Sequence, residues 1–275
     1  MTINRIIILF LSLLYAYLVG SGVYGYGIDF HGLYTKPNLN MGDYQNWLGY
    51  RLSSLSYNNI NFGVYLLSFL LSISTSILID QYLKYKLIRS QIFSAFIIII
   101  TFHTWPIIMS ATNAMRQGFC NSLIFFGLVM LFQKKNKLAL FFLFLSIFFH
   151  KTGIFFFSII FILFFINYLM LFIKQNSKKI FLIIFTVFSI TLSYILFEII
   201  LSTEKTFRVV NGDFRIPFLI INISFIMYFI YFYQYLQENN LNLFVFIFSI
   251  LAIPVLLIGY NWQYERLNMM MTIPY

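Results

Sequence analysis

Nine apolar runs, most of them about as long as a bilayer is thick, constrain the fold of this chain more than any other feature. They cover residues 4–20, 63–80, 91–110, 115–132, 138–150, 153–173, 180–200, 217–236 and 243–260. About twenty apolar residues in a helix span a hydrocarbon core of roughly 30 Å. With 61% of the 275 residues hydrophobic and 9% charged, the composition excludes a soluble class. We therefore predict an all-α polytopic membrane protein with about nine to ten transmembrane helices around an outward-facing cavity.

The polar stretches between these runs predict one integral membrane domain over residues 1–275. The longest of them, 21–62, is too short and too rich in Gly, Tyr and Asn to bury a core of its own. The first run has no A-x-A-like site before Gly20, which favours a retained anchor over a removed signal peptide. Residues 267–275 look like the start of a tenth helix, so we expect the C-terminus to be truncated or this helix to be incomplete.

The basic residues predict the orientation of the chain. With the N-terminus in the cytoplasm, ten of the eighteen Lys and Arg residues fall in cytoplasmic loops, mostly as clustered lysines. The net charge of +10 therefore gives no reason to expect a nucleic-acid partner. The other eight lie outside, and five of them are arginines scattered singly at helix ends: Lys36, Arg51, Arg116, Lys151, Lys205, Arg208, Arg215 and Arg266. Because the planar guanidinium group suits bidentate phosphate recognition, this asymmetry favours a phosphate-bearing ligand outside.

The most informative segment is 101–153, in which Arg116 and His150 begin and end a hydrophobic hairpin whose turn is QKKNK at 133–137. Two crossings return the chain to the same face, so we expect both side chains there. Pro106 predicts a break in the third span, and a broken helix normally lines a cavity. Asn113, Arg116 and Gln117 then open the fourth span, where an anion is favoured by the helix dipole and the guanidinium group. For Arg116 the alternative is snorkelling to lipid headgroups.

Three loops supply further candidates on the outer side. Loop 21–62 combines acids with aromatic rings and suits carbohydrate, although an interfacial aromatic belt explains part of it. Loop 201–216 brings Arg208 and Arg215, and the C-terminal segment brings Glu265 and Arg266. Several arginines converging outside predict a pocket for a multiply charged anion such as a lipid-linked pyrophosphate. The histidines, at 31, 103 and 150, show no metal-ligand spacing, so we predict neither a metal nor another cofactor.

Four short segments resemble the motifs of a known family: GDYQNWLGY at 42–50, NAMRQG at 113–118, FFHKTG at 148–153 and YERLNMM at 264–270. Together and in this order they resemble EpsG-like and Wzy-type bacterial polysaccharide polymerases. The resemblance implies transfer of a growing glycan from its undecaprenyl pyrophosphate carrier onto a new lipid-linked repeat unit at the periplasmic face of the inner membrane. The product would be O-antigen or a capsular or exopolysaccharide. It also implies a metal-independent glycosyltransferase that contacts membrane lipid and a chain-length regulator protein.

The resemblance implies a division of roles among the candidate residues. Pyrophosphate binding is expected from Arg116, Arg215, Arg266, Arg208 and Lys151. The base that takes the proton of the acceptor hydroxyl is Asp43, His150 or Glu265. Sugar positioning is expected from Tyr44, Trp47, Gln117 and Asn113.

Three alternative functions are also consistent with the sequence. A glycosyltransferase using polyprenyl-phosphate sugars has the same outward acids and scaffold. A flippase for lipid-linked oligosaccharides needs a cationic path, and the middles of the spans are almost free of charge. An acyltransferase needs a catalytic histidine deep in a span, for which His103 is the candidate, although a hydrogen-bonded core histidine is equally consistent with the sequence.

Overall fold

A computed structural model describes residues 3–27, 31, 48–55, 61–88, 90–150, 152–203, 215–238 and 240–258, and these residues contain helices and no strand. The elements in chain order are α1 (Ile3–Gly20), α2 (Leu48–Ser53), α3 (Phe62–Tyr85), α4 (Gln91–Phe102), α5 (Trp105–Thr112), α6 (Met115–Phe132), α7 (Asn136–Ile147), α8 (Thr152–Phe172), α9 (Gln175–Thr203), α10 (Arg215–Tyr231), α11 (Gln234–Glu238) and α12 (Asn240–Ile258). The all-α membrane class predicted from the sequence is confirmed.

All nine apolar runs coincide with helices, but the helices differ in length. Within the described part of the chain, five are long and apolar enough to cross a membrane alone, namely α3, α6, α8, α9 and α12. Three shorter apolar helices are α1, α7 and α10. The twelve residues of α7 rise only about 18 Å, as the short fifth run predicts. Residues 267–275, the predicted start of a tenth helix, lie outside the described residues.

The third run is broken, as Pro106 predicts. It forms α4 and α5, whose axes are bent by 58°. The backbone N–H of His103 closes the end of α4 on the carbonyls of Ile100 and Thr101, and Pro106 lies in the first turn of α5. A proline is tolerated there because a first-turn N–H has no partner within the helix. The chain therefore changes direction at 103–104, between the end of α4 and the start of α5.

The chain divides into two compact units, Met1–Phe157 and Ser158–Tyr275. In the first unit, α1 and α3 are antiparallel. The Ser72 hydroxyl of α3 donates to the Ser12 carbonyl of α1 over 3.3 Å. At the far end of this pair, the Asn4 side chain donates to Asp80, which also pairs with Lys84. The N-terminus of α1 therefore lies beside the C-terminal end of α3.

Helix α6 runs parallel to α3. A Cβ atom placed on Gly118, near the start of α6, would lie 3.0 Å from Leu67 Cδ1, near the start of α3. At their other ends, the rings of Tyr85 and Phe132 have centroids 5.3 Å apart. The two helices thus begin at one end of the unit and finish at the other.

Helix α7 returns antiparallel to α6 and completes the hairpin. The rings of Phe126 and Phe142 stack with centroids 5.6 Å apart. The ring of Phe149, beyond the end of α7, lies 6.1 Å from that of Phe119 in the second turn of α6. Arg116 and His150 therefore lie at the same end of the first unit, as the hairpin predicts.

These directions give the first unit two chemically different ends. We call one the motif end; it contains residues 20–27, 31, 48–55, 103–117, 148–150 and 152. We call the other the lysine end; it contains Lys84, Lys86, Lys134, Lys135 and Lys137, all exposed. At the lysine end the Lys86 ammonium group lies over the rings of Tyr82 and Tyr85, 5.8 and 5.6 Å from their centroids. The clustering of lysines at one end agrees with the charge separation expected from the sequence.

The second unit is built around α12, which packs on α9, α10 and α11. Helix α12 is mostly buried and contains Pro254, whereas the apolar side chains of α9 are largely exposed. The Asn167 side chain of α8 donates to Asn240 at the start of α12 over 3.2 Å. Apolar exposure on the scale seen along α9 is expected for a helix that faces lipid.

Two glycines of α6 predict different responses to the same substitution. A Cβ at Gly118 would collide with the Ser110 backbone carbonyl, whereas one at Gly127 would meet the Leu143 side chain, with Cγ at 2.8 Å. The backbone carbonyl of Ser110 cannot move without shifting α5, whereas the Leu143 side chain can avoid the new methyl group by changing its rotamer. We expect Gly118→Ala to destabilise by about 1–3 kcal/mol and Gly127→Ala by clearly less. Thermal unfolding in detergent measures both, and equal melting temperatures would contradict the close α5–α6 contact.

Candidate functional site

The junction between α5 and α6 places Arg116 at the motif end. The backbone N–H groups of Asn113 and Ala114 both donate to the Met109 carbonyl, which ends α5, and α6 begins at Met115. Arg116 is half-buried in the first turn of α6. First-turn N–H groups and the helix dipole give this position a positive potential, to which the guanidinium group adds. The arrangement suits an anion.

Helix α2, which belongs to the loop between α1 and α3, contacts this junction. The Leu48 N–H donates to the Phe148 carbonyl over 3.1 Å. Gly49 lies so close that a Cβ there would be 2.5 Å from the Phe149 carbonyl oxygen and 3.3 Å from Arg116 Cα. Only glycine fits this contact without displacing backbone. The end of GDYQNWLGY, the NAMRQG segment and the FFHKTG segment, which are far apart in the sequence, therefore meet in one place.

The contacts of His150 fix which ring nitrogen carries its proton when the ring is neutral. The Thr152 backbone N–H donates to Nδ1 over 3.3 Å, and the Thr152 hydroxyl lies 3.0 Å from the same atom. A backbone N–H can only donate, so Nδ1 is the acceptor and the proton of the neutral ring is on Nε2. In this form Nε2–H is a hydrogen-bond donor. A neutral His150 is therefore suited to hold an anionic oxygen rather than to remove a proton.

Thr152 also ties His150 to α6. Its hydroxyl lies 3.5 Å from the buried Cys120 thiol, one turn below Arg116. A Cβ at Gly153 would fall 2.6 Å from the Ser146 carbonyl, so the start of α8 packs tightly on the end of α7. Arg116 belongs to the first two turns of α6, and His150 is connected to the same part of α6 through Thr152 and Cys120.

Beneath Arg116, a buried polar layer holds α5 to α6. Gln117 and Asn121 are buried one turn apart on α6. The Asn121 amide donates to the Ser110 hydroxyl of α5 over 3.2 Å. Asn121 was not among the residues predicted from the sequence. Its spacing of four from Gln117, which places both on one helical face, is the signal that would have found it.

The loop that follows α1 contacts the same junction at Gly27. The Gly27 N–H donates to the Thr112 carbonyl over 3.2 Å, and Gly27 packs directly against the Asn113 side chain. Burial raises the pKa of the Tyr24 and Tyr26 hydroxyls in this loop, and Tyr65 adds to the rise at Tyr26. Both hydroxyls therefore remain protonated donors at neutral pH.

His103 is hydrogen-bonded, as one of the two alternatives from the sequence held, but it does not lie in the core. His103 is exposed at the end of α4, where the chain bends, and both ring nitrogens have partners there. The bend at Pro106 brings the helix to an end at this residue. His103 therefore stands at the break between α4 and α5 and not within a continuous helix.

Charges at the motif end are of one sign in the part of the first unit that the structure describes. This end carries Arg51 and Arg116 with His31, His103 and His150, and no carboxylate. Asp80, the acid described in this unit, lies at the lysine end, where it pairs with Lys84. An anion at the motif end therefore meets no described repulsive group.

Several predicted site residues lie outside the described residues: Asp43, Tyr44, Trp47, Lys151, Arg208, Glu265 and Arg266. Arg215 is the first residue of α10, in the second unit. Their roles stay predictions. The described candidates Asn113, Arg116, Gln117 and His150 all belong to the motif end of the first unit.

Comparison with known proteins agrees with the motif arrangement. A search of curated proteins and a search of solved structures each gave no match. A family model matches the chain over its whole length, residues 1–275, and its description is EpsG family. This chain, in which the described residues of three of its four family-like segments meet near Arg116 and His150, belongs to the EpsG family, the family of Wzy-like polysaccharide polymerases.

Proposed function

We propose that this protein polymerises lipid-linked oligosaccharide repeat units at the motif end, by glycosyl transfer from an undecaprenyl pyrophosphate-linked glycan. The product is an O-antigen or a capsular or exopolysaccharide. The observation that carries the proposal is that the described parts of segments 42–50, 113–118 and 148–153 meet around Arg116. The described side chains of the first unit at this end are cationic or neutral. A diphosphate is the multiply charged anion that such an end suits.

The reaction is a displacement at the anomeric carbon. The acceptor hydroxyl oxygen forms a bond to this carbon, the bond from carbon to phosphate oxygen breaks, and the pyrophosphate leaves with the electron pair. Arg116 stabilises the negative charge that develops on the leaving group. Arg215, Arg266, Arg208 and Lys151 are proposed to add to this charge stabilisation. No metal or other cofactor is required for this charge balance.

The hydrogen bonds of His150 divide the remaining roles. Because its Nδ1 accepts from Thr152, we assign the Nε2–H of His150 to a phosphate oxygen. The proton of the acceptor hydroxyl then goes to a carboxylate, for which Asp43 and Glu265 are the candidates. Gln117, Asn113, Tyr44 and Trp47 are proposed to position the sugars.

Reconstitution of the purified protein with one lipid-linked repeat unit, in buffer with EDTA, tests the function. A ladder of products supports a metal-independent polymerase. Addition of one sugar from a polyprenyl monophosphate donor supports the alternative glycosyltransferase. Movement of the lipid across the bilayer without a new glycosidic bond supports a flippase. Adding the chain-length regulator encoded with the pathway should change the ladder's length distribution.

Arg116 provides the first prediction for this function. Arg116→Ala should lower the polymerisation rate by about 100-fold or more, since removal of one preorganised donor at a developing anion costs about that much. Arg116→Lys should recover part of the rate, because an ammonium group supplies charge without the bidentate geometry. Polymer length and rate are read on gels with folded protein. Lys135→Gln at the lysine end is the control and should match wild type; full-length polymer from both Arg116 variants would remove Arg116 from the mechanism.

Gly49 provides the second prediction. In Gly49→Ala the new methyl group meets the Phe149 carbonyl and pushes α2 away from Arg116 and His150. Displacement of reacting groups by about 1 Å can cost on the order of 100-fold in rate. We expect at least a tenfold loss of polymerisation when the rate is normalised to the amount of folded protein. Gly127→Ala, in the lysine half of α6, is the matched control; equal activities of the two variants would argue against a site at the motif end.

The third prediction concerns orientation. We propose that the chain lies in the bacterial inner membrane with a cytoplasmic N-terminus, so that the motif end faces the periplasm. Cys120 is the single cysteine, so Cys120→Ala gives a background for labelling. In spheroplasts, an impermeant maleimide should label Val23→Cys at the motif end, and should label Lys135→Cys only after the membrane is broken. The reverse pattern would contradict the orientation.

A further inference from the structure

A tyrosine and a histidine form a pair at the motif end that the proposed mechanism leaves unused. The Tyr24 hydroxyl lies 2.9 Å from Nε2 of His103. Nδ1 of the same ring lies 2.8 Å from the Ile99 carbonyl, one turn back in α4. Tyr24 is half-buried and His103 is exposed, so the pair stands at the surface of this end.

The carbonyl partner fixes the direction of both hydrogen bonds in the neutral ring. A carbonyl oxygen only accepts, so Nδ1 carries the proton and donates to Ile99. Nε2 is then the acceptor, and the Tyr24 hydroxyl donates to it. With its proton committed to His103, the Tyr24 oxygen presents its lone pairs as acceptors to whatever approaches from outside.

The neighbouring aromatic rings hold this pair in place. The Tyr15 ring lies 6.0 Å from the Tyr24 ring and 4.7 Å from the Phe102 ring, measured between centroids. The Tyr26 hydroxyl donates to the Gly20 carbonyl over 2.8 Å, so the second tyrosine of this loop is fixed as well. Fixed aromatic side chains bind with little loss of conformational entropy.

The loop connects this pair to the candidate site. Three residues after Tyr24, Gly27 bonds to the Thr112 carbonyl and packs on Asn113, which begins the segment that carries Arg116. A stretch of three residues reaches at most about 11 Å. The pair is thus a near neighbour of the α5–α6 junction.

We propose that Tyr24 and His103 form a second carbohydrate subsite, which holds sugars of the repeat unit that lie away from the diphosphate. This inference rests on the proposed function, because a polymerase has to accommodate two glycans while reacting at one bond. A sugar ring matches the pair chemically: its hydroxyl groups donate to the Tyr24 oxygen, and its C–H groups pack on aromatic rings. The pair therefore acts in substrate binding and not in the chemical step.

The test measures KM and kcat separately, with the lipid-linked repeat unit that accumulates in cells deleted for this gene. Tyr24→Phe removes the acceptor oxygen and keeps the ring, and we expect KM to rise about three- to tenfold, the range of one net hydrogen bond. Tyr24→Leu removes the ring too and should raise KM by more than tenfold. kcat should change less than twofold in each. Because Tyr24 is oriented by His103, the double variant Tyr24→Phe with His103→Phe should be no worse than Tyr24→Phe alone.

Tyr17 supplies the matched control. It lies on α1 near the same end and its side chain is 63% exposed, as expected of a lipid-facing residue. Tyr17→Leu should leave KM unchanged; an equal rise in the Tyr17 and Tyr24 variants would mean that both belong only to an interfacial belt and would overturn the subsite. An unchanged KM in both Tyr24 variants would overturn it as well.

A binding measurement separates failure of the subsite from failure of the proposed function. The glycan released from the lipid by mild acid is added to the protein, and saturation-transfer NMR detects its binding without any reaction. Wild type should show transfer to the glycan, and Tyr24→Leu should show little. Transfer that is equal in both overturns the subsite even if the protein polymerises. A wild-type protein that binds the glycan but makes no ladder retains the subsite and loses the polymerase.

Discussion

Backbone contact at two glycines holds the motif end together. At Gly118, α6 approaches the backbone of α5, and at Gly49, α2 approaches both Arg116 and the chain beyond α7. Neither contact tolerates a side chain, so each fixes the distance between elements that belong to different parts of the sequence. Everything else that we assign to this end, including the presence of Arg116 and His150 at one end, depends on these distances. Hydrogen bonds such as Asn121 to Ser110 then keep the elements from sliding.

The charges follow from this packing and from the membrane. A cationic side chain near the hydrocarbon core favours an anion or access to headgroups, because low polarity strengthens the attraction between opposite charges. At the motif end the described part of the first unit carries no carboxylate, whereas at the lysine end Asp80 is engaged by Asn4 and Lys84. The described groups around Arg116 thus agree with the anion site that we propose there. A neutral His150 with its proton on Nε2 adds a hydrogen-bond donor at the same end.

Much of the architecture could be predicted from the sequence. The apolar runs predicted the helices within a few residues, since about twenty apolar residues in a bilayer have no alternative to a helix. Pro106 predicted the break between α4 and α5, because proline removes a helical donor. The hairpin turn of lysines predicted that Arg116 and His150 share one end. His103 was less predictable, since a single histidine between apolar residues gives no sign of whether it is buried or bonded at a helix end.

The candidate site itself was only partly predictable. Asn113, Arg116, Gln117 and His150 were identified from their types and from the motifs that contain them, but Asn121, Gly49 and the Tyr24–His103 pair were not. The sequence by itself determined which segments are helical and at which end of a hairpin each polar residue stands, because helix length and hydrophobicity are local properties. Only the tertiary structure decided which loops meet, which nitrogen of His103 and of His150 accepts, and at which glycines a side chain would collide with backbone. These depend on contacts between residues tens of positions apart, and no local pattern encodes such distances.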